Sequence, residues 1–485
     1  MDQSSRPPHR LPGLSTTSLD LLWVSLVLFV VLVISFLLPV HPNDNWWYVR
    51  LGGDIVSMSA IPQVDTYSYT VAGQPVVYFS WLSGVLFWAL YEAGGITLTV
   101  LSRGVLLAGF YAMIWFASRQ AGAGPKLASL VTLLAVLAGS NNWAVRPQLF
   151  AYPLFSLALW TMVKWQRGER RTLWLLPIIS LLWVNLHPSF AVLFLLAGAQ
   201  LIMEKANRKA LAAVLAGMFL ASLVNPRGIF AWGDIFLTIR NPANMRFSVE
   251  WGPPVNEGWQ AGLFFGWLLV FPLLVALSAK KLSFTQWLWF IGFGWMALSG
   301  MRYGIWFLAV LAVLSAELLK SWLGERIDRP PERIQAAVNL PVGVTLLLLP
   351  VLVLPGARER WWANSPPALS QDTPVAAVEW LAQHPELPGP LWSDYAFASY
   401  LIYALPERPV WIDTRFYPYP EEQWEKYVEI SEAAPGWENS LEEEGIRLLL
   451  VNLSVQSRLI ESVDQSQRWK KIFEDQIALI FKRDG

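Results

Sequence analysis

Long apolar runs recur along the first three quarters of the chain, separated by short polar stretches. The first, Leu21 to Val40, carries no charge and has the length of one bilayer crossing, about twenty residues. It is too long for a signal-peptide core and lacks a small-residue cleavage site, so it reads as a retained span. Further apolar stretches lie at 78–95, 97–117, 126–141, 148–165, 173–184, 188–203, 209–224, 262–279, 284–299, 302–320 and 338–356. Each is compatible with a span or most of one. From Ala357 the pattern changes: long runs stop, charge rises, and turns appear at Ser365-Pro366-Pro367 and Leu387-Pro388-Gly389-Pro390. Short apolar strands (410–412, 448–451, 477–481) alternate with helical patterns at 374–384, 395–405 and 455–466.

This pattern predicts a polytopic α-helical membrane protein with a carboxy-terminal soluble α/β domain. Residues 1–19 form a cytoplasmic tail, and 20–356 a transmembrane domain with a first outer loop at 41–77. Residues 357–485 form an extracytoplasmic α/β domain of about 130 residues, large enough for its own core.

Loop charges orient the spans. Lys164, Arg167, Arg170 and Arg171 make the strongest basic cluster. Lys205, Arg208 and Lys209 make a second, Lys280 and Lys281 a third, and Lys320, Arg326, Arg329 and Arg333 a fourth. The positive-inside rule puts all four in the cytoplasm, with Arg6 and Arg10 of the tail, if 173–203 is a helical hairpin broken at His187-Pro188. Arg119 and Lys126 join them only if one stretch between 78 and 117 does not cross. The stretch 78–95 is aromatic-rich and interrupted by Ser and Gly, so it is expected to lie along the interface. About eleven spans result, with the carboxy-terminal domain outside. A crossing 78–95, with Arg119 and Lys126 outside, is the alternative.

Composition narrows the class. The chain has 485 residues, 54% hydrophobic and 15% charged, which excludes a disordered chain. Its 28 Trp suit many interfacial positions. Formal net charge is zero, so nothing argues for a nucleic-acid partner. There is no cysteine, which excludes disulfides, thiolate metal sites and Cys nucleophiles.

The loop after the first span reads HPNDNWWYVRLGGDIVSMSAIPQVDTYSYTVAGQP. A mere connector needs neither its three carboxylates (Asp44, Asp54, Asp65) nor its Trp pair with Arg50. Carboxylates at a membrane boundary are costly and need a reason. The same topology puts Asn142, Arg146, His187, Arg227 and Arg302 on the outer face, each near a span end. Cations beside carboxylates at the interface fit transfer from a lipid-borne phosphate. Arg146, His187, Arg227 and Arg302 are the candidates for the leaving phosphate. Asp44, Asp54 and Asp65 are the candidates for catalysis, as base or as support for an oxocarbenium-like sugar. Structural readings compete: Asp44 as the N-cap of a short helix, Asp65 as a turn residue, His187 as a hairpin cap, and Arg146 and Arg227 as snorkelling cations. No residue pattern resembles a metal-ligand motif, although one Asp with phosphate oxygens is compatible with a divalent cation.

A first span, an outer loop with an early Asp among aromatics, an interfacial helix and many further spans resemble the GT-C superfamily of membrane glycosyltransferases. That superfamily includes protein mannosyltransferases and the aminoarabinose transferase of lipid A. The strings NDNWWYVRLGGDI, DTYSYT, RPQLF, WVNLHPSF and NPRG carry the resemblance, over residues 20–356. It implies transfer of a sugar from a polyprenyl-phosphate donor to a glycan, lipid or protein acceptor, on the outer face of a bacterial plasma membrane. Asp44 matches the early catalytic Asp of the family. Many members carry a second acidic residue in that loop, or an Asp in the next outer loop. Here Asn45 follows Asp44 and the next outer loop carries Arg146, a departure that bears on metal dependence. The stretch WSDYAFASYLIYALPERPVWIDTRFYPY resembles the soluble domain trailing some members. Two rival classes are a transporter or flippase of lipid-linked glycans, which needs mid-membrane polar groups, and a non-catalytic assembly protein.

Overall fold

A computed structural model describes residues 14–203, 207–328 and 336–484. Arg6 and Arg10, Lys205, Arg329 and Arg333 lie outside the described residues. The apolar runs become the helices Leu14–Leu37, Trp81–Gln120, Pro125–Gly139, Gln148–Gln166, Leu175–Leu186, Ala191–Met203, Arg208–Ser222, Gly258–Leu277, Phe284–Ser299, Gly304–Ile327 and Ala336–Leu348. Among the described residues, five helical stretches are long and apolar enough to cross a membrane: Ser18–Leu37, Trp81–Gln120, Gly258–Leu277, Met301–Gly324 and Ala336–Val353. The first helix begins at Leu14, so the last part of the expected tail is already helical.

Two chain breaks shape the bundle. At His187-Pro188 the helix ends, because a residue before proline is pushed out of the α region. His187 is extended, with φ −160° and ψ 140°, and a short 3-10 turn Pro188–Phe190 follows. Within Trp81–Gln120 the helix is interrupted at Gly94-Gly95, where Gly95 takes φ +56°, a left-handed value that favours glycine. The part before this break stays at one end of the bundle. Trp81 Nε1 donates to Asn185 at 3.1 Å, and the Tyr91 ring lies 5.5 Å from that of Tyr403 in the carboxy-terminal region. The part after it runs the length of the bundle to Gln120, whose amide donates to Glu169 at 3.1 Å.

The loop after the first apolar helix, 41–77, folds into the helix Asn45–Met58. It packs so closely on the helix after Ser80 that a β-carbon on Gly52 would collide with the Gly84 carbonyl. Two further helices, Phe230–Arg240 and Pro242–Phe247, fill a stretch that hydrophobic periodicity leaves blank.

The carboxy-terminal region holds four strands: β1 (Leu391–Ser393), β2 (Leu448–Asn452), β3 (Trp469–Glu474) and β4 (Ala478–Arg483), in sheet order β1-β2-β4-β3. β1 and β2 are parallel and the other pairs antiparallel. A parallel pair needs a crossover, here the helices Tyr395–Ala404, Glu421–Ser431 and Trp437–Glu443. Successive strand residues face opposite sides. Leu448 and Leu450 therefore enter one core, and Leu449 and Val451 another. The expected strand at 410–412 is not in the sheet. Val410 instead bridges Ser68 of the loop that follows the first apolar helix.

The core containing Leu448 and Leu450 is not closed by carboxy-terminal residues alone. Trp47, Leu51, Ile55 and Tyr67 of the first loop, with Tyr78 just after it, complete it. Trp46 is also buried, with Tyr91, Tyr400 and Tyr403 around it at ring distances of 5.1–5.6 Å. The Trp pair thus fastens the loop to the carboxy-terminal region and does not face lipid. The composition could not distinguish these uses of Trp, since both bury an indole against apolar neighbours.

Candidate functional site

A cavity of about 310 Å³ opens where the bundle meets the carboxy-terminal region. Asp44, Arg146, His187, Glu250 and Arg302 all line it. Each sits at a helix end: Asp44 before Asn45–Met58, Arg146 before Pro147 and Gln148–Gln166, and His187 at the hairpin break. Glu250 lies in the 3-10 turn Val249–Trp251, and Arg302 in the turn Met301–Tyr303 that opens Gly304–Ile327. A backbone bond from Met301 N–H to the Gly252 carbonyl, 2.9 Å, ties these two turns together.

Asp44 holds the N-cap position of its helix, yet its carboxylate makes no cap hydrogen bond. The Trp47 backbone N–H donates instead to Ser399 Oγ at 3.3 Å, and that hydroxyl donates to the Asn43 carbonyl. Asp44 Oδ1 accepts a long bond from Trp47 Nε1, 3.4 Å, and the Thr414 side chain also interacts with the carboxylate. Burial raises the Asp44 carboxyl above its usual range, and the charge of Arg146 opposes that rise. A carboxylate with a raised pKa and few partners is suited to take a proton.

The cations are ordered by their own partners. Arg146 Nη1 donates to Glu250 at 2.5 Å. Burial would raise the Glu250 carboxyl, but the charge and hydrogen bond of Arg146 hold it below its usual range. The Arg302 guanidinium lies 4.4 Å from the Trp251 ring centre, a cation–π contact that leaves its N–H groups free for an anion. His187 Nδ1 accepts from the Ser189 backbone N–H at 3.1 Å. A backbone amide only donates, so the neutral ring carries its proton on Nε2. Burial, together with Arg302 and Arg146, lowers the His187 pKa well below the ordinary value and keeps it neutral.

The remaining candidates lie elsewhere. Asp54 accepts from Arg50 Nε at 2.9 Å and from Tyr67 at 2.8 Å. Arg50 therefore serves Asp54 and not Asp44, as the four-residue spacing on one helix favours. Asp65 is buried in a turn, accepting from the Ser68 N–H at 2.9 Å and from Arg415. Arg415 also grips Asp413 at 2.6 Å, and Tyr419 donates to Asp413 at 2.5 Å. Arg227 pairs with Asp234 at 2.9 Å beside a separate cavity of about 90 Å³. Sequence reasoning missed Glu250 and the contribution of Thr414 to Tyr417 to the cavity wall. Glu250 had one signal, an acidic residue beside Trp251 in the polar gap between two apolar runs. Among the described residues, no three His, Asp or Glu side chains gather as a metal-ligand set.

No protein-family model and no curated protein matches the sequence. Solved structures match the fold. The oligosaccharyltransferase AglB from Archaeoglobus fulgidus, in complex with an inhibitory peptide and a dolichol-phosphate, overlays with TM-score 0.58 at 12% identity. The match covers 90% of this chain and 69% of AglB. The arabinofuranosyltransferase AftD from Mycobacteria overlays with TM-score 0.58 at 14% identity, covering 95% of this chain and 41% of AftD. ArnT from Cupriavidus metallidurans, bound to undecaprenyl phosphate, overlays more loosely, with TM-score 0.49 at 15% identity over 95% of this chain and 97% of its own. AglB and AftD are GT-C superfamily glycosyltransferases, and the resemblance expected from the sequence holds as a likeness of fold to them.

Proposed function

We propose that this protein is a GT-C-type glycosyltransferase that moves a sugar from a polyprenyl-phosphate donor to a glycan, lipid or protein acceptor. The observation that carries this reading is the convergence of Asp44, Arg146, His187, Glu250 and Arg302, from five separate stretches of chain, on one cavity. Asp44 takes the proton of the acceptor hydroxyl as the new bond to the sugar carbon forms. The bond from that carbon to the donor phosphate breaks, and polyprenyl phosphate leaves. Arg146, Arg302 and the Nε2–H of His187 stabilise the charge that gathers on the leaving phosphate. Glu250 holds Arg146 in place. Asp44 with phosphate oxygens of the donor would also suit a divalent cation, which would add positive charge at the leaving group.

The cavity lies at the end of the bundle away from Arg167 and Lys280, which supports an outer-face site in the plasma membrane with the carboxy-terminal domain outside. The short helix before Gly94 staying at one end supports about eleven crossings. The direct test is transfer of a labelled sugar from a synthetic polyprenyl-phosphate donor by the reconstituted protein. Transfer dependent on Arg146 and Arg302 is the expected result. A donor that neither binds nor turns over under any acceptor would contradict the reading.

A further inference from the structure

The helices that carry the candidate site at one end carry a second cavity, of about 580 Å³, at the other. Gln148 lines the first cavity and Gln166, at the far end of the same helix, lines the second. At 1.5 Å per residue that helix is roughly 28 Å long. Arg302 precedes the helix Gly304–Ile327 and Glu317 lies well along it, and His187 and Gln200 are separated by most of Ala191–Met203. The two cavities therefore open towards opposite leaflets if the bundle spans a membrane.

The lining of the second cavity carries an excess of positive charge, with Arg167 and Lys280 against Glu317. The Glu317 side chain is only 11% exposed and accepts from Gln286 Nε2 at 2.5 Å. Arg167 lies 3.4 Å from it and Lys280 3.6 Å, so two cations share one carboxylate. Gln286 is itself fixed, because it forms a capping box with Ser283. The Arg167 and Lys280 side chains remain 44% and 52% exposed, leaving donors open. Met203 and Phe284 line the same cavity and are exposed apolar side chains. Cations beside exposed apolar side chains fit an anionic head with an apolar tail. A free phosphate would leave the apolar side chains unused.

We propose that this cavity binds the phosphate head group of an anionic phospholipid from the leaflet opposite the candidate active site. The head group neutralises the surplus charge of Arg167 and Lys280. Its acyl chains lie on Met203 and Phe284. The bound lipid joins the helices Gln148–Gln166, Phe284–Ser299 and Gly304–Ile327 at the end opposite Arg146 and Arg302, and so stabilises the frame that holds the two arginines.

The test is thermal unfolding of the full-length protein in uncharged detergent, with phosphatidylglycerol, phosphatidylcholine or inorganic phosphate added. Phosphatidylglycerol should raise the unfolding temperature with the logarithm of its concentration, and phosphatidylcholine should not. Arg167→Gln/Lys280→Gln should abolish the rise, and Lys126→Gln, a basic residue on the same face, should keep it. If the double variant misfolds because Glu317 is left bare, the triple variant with Glu317→Gln replaces it. An undiminished rise in the double or triple variant, or an equal rise with phosphatidylcholine, overturns the proposal. An equal rise with inorganic phosphate alone makes the ligand a soluble anion and overturns the lipid assignment.

Discussion

Ser399 Oγ accepts the backbone N–H of Trp47 at 3.3 Å, across 352 positions of sequence. This bond caps the first-loop helix from outside and relieves Asp44 of the duty its position suggests. The carboxy-terminal region thus completes the site, because it supplies the cap that leaves the Asp44 carboxylate facing the cavity.

Ser399→Ala removes that cap. A lost N-cap costs about 1 kcal/mol, so the variant should unfold at a lower temperature. Transfer should also weaken, since Asp44 is then free to turn back onto its own helix. Thermal unfolding and donor turnover measured together check both effects. Unchanged stability would mean that the bond contributes nothing.

Asp65 and Asp44 should respond in opposite ways. Asp65→Ala leaves Arg415 buried with Asp413 as its remaining carboxylate partner, and removing one partner of a buried polar group costs about 1–3 kcal/mol. The expected result is a protein of low yield and high protease sensitivity. Any folded fraction should retain turnover per molecule. A stable but inactive Asp65→Ala protein would give Asp65 a chemical role.

The pH dependence follows from the charges around Asp44. Its base form is the ionised one, so transfer should rise with pH through a pKa above the ordinary carboxylate value. Glu250 raises that pKa, so Glu250→Gln should move the acid limb to lower pH. Arg146 lowers it, so Arg146→Gln should move the limb to higher pH, on top of its loss of rate. A pH–rate profile of the three proteins reads the signs. Shifts in the same direction for both variants would exclude Asp44 as the titrating group.

Topology is open to direct labelling, because the chain has no cysteine. Arg227→Cys should react with an impermeant thiol reagent only from outside. Lys281→Cys should react only from the cytoplasm. Labelling of Arg227→Cys from the cytoplasm alone would reverse the orientation.

Much of the bundle was legible because its helices are built on long apolar runs, and those runs are local. The broken hairpin at His187-Pro188 was equally local, a matter of proline sterics. The helix Phe230–Arg240 was not visible, since a short amphipathic segment between spans carries no length signal. Asp44, Arg146, His187 and Arg302 could be named from charge at span ends. Their separation from Asp54, Asp65 and Arg227 could not, because it depends on which ion pairs form. The pairs Asp65–Arg415 and Arg146–Glu250 join positions more than a hundred residues apart. The same holds for Ser399: a cap supplied from 352 residues away leaves no local pattern.

The central claim is that Asp44 is the base of sugar transfer. Asp44→Asn keeps the side-chain size and an accepting oxygen, and the Ser399 cap remains, so the fold should be unaffected. Sugar transfer from a polyprenyl-phosphate donor, measured in vesicles beside the unfolding temperature, separates chemistry from structure. The account predicts wild-type stability with transfer reduced roughly a hundredfold or more. Full transfer by stable Asp44→Asn protein would contradict it.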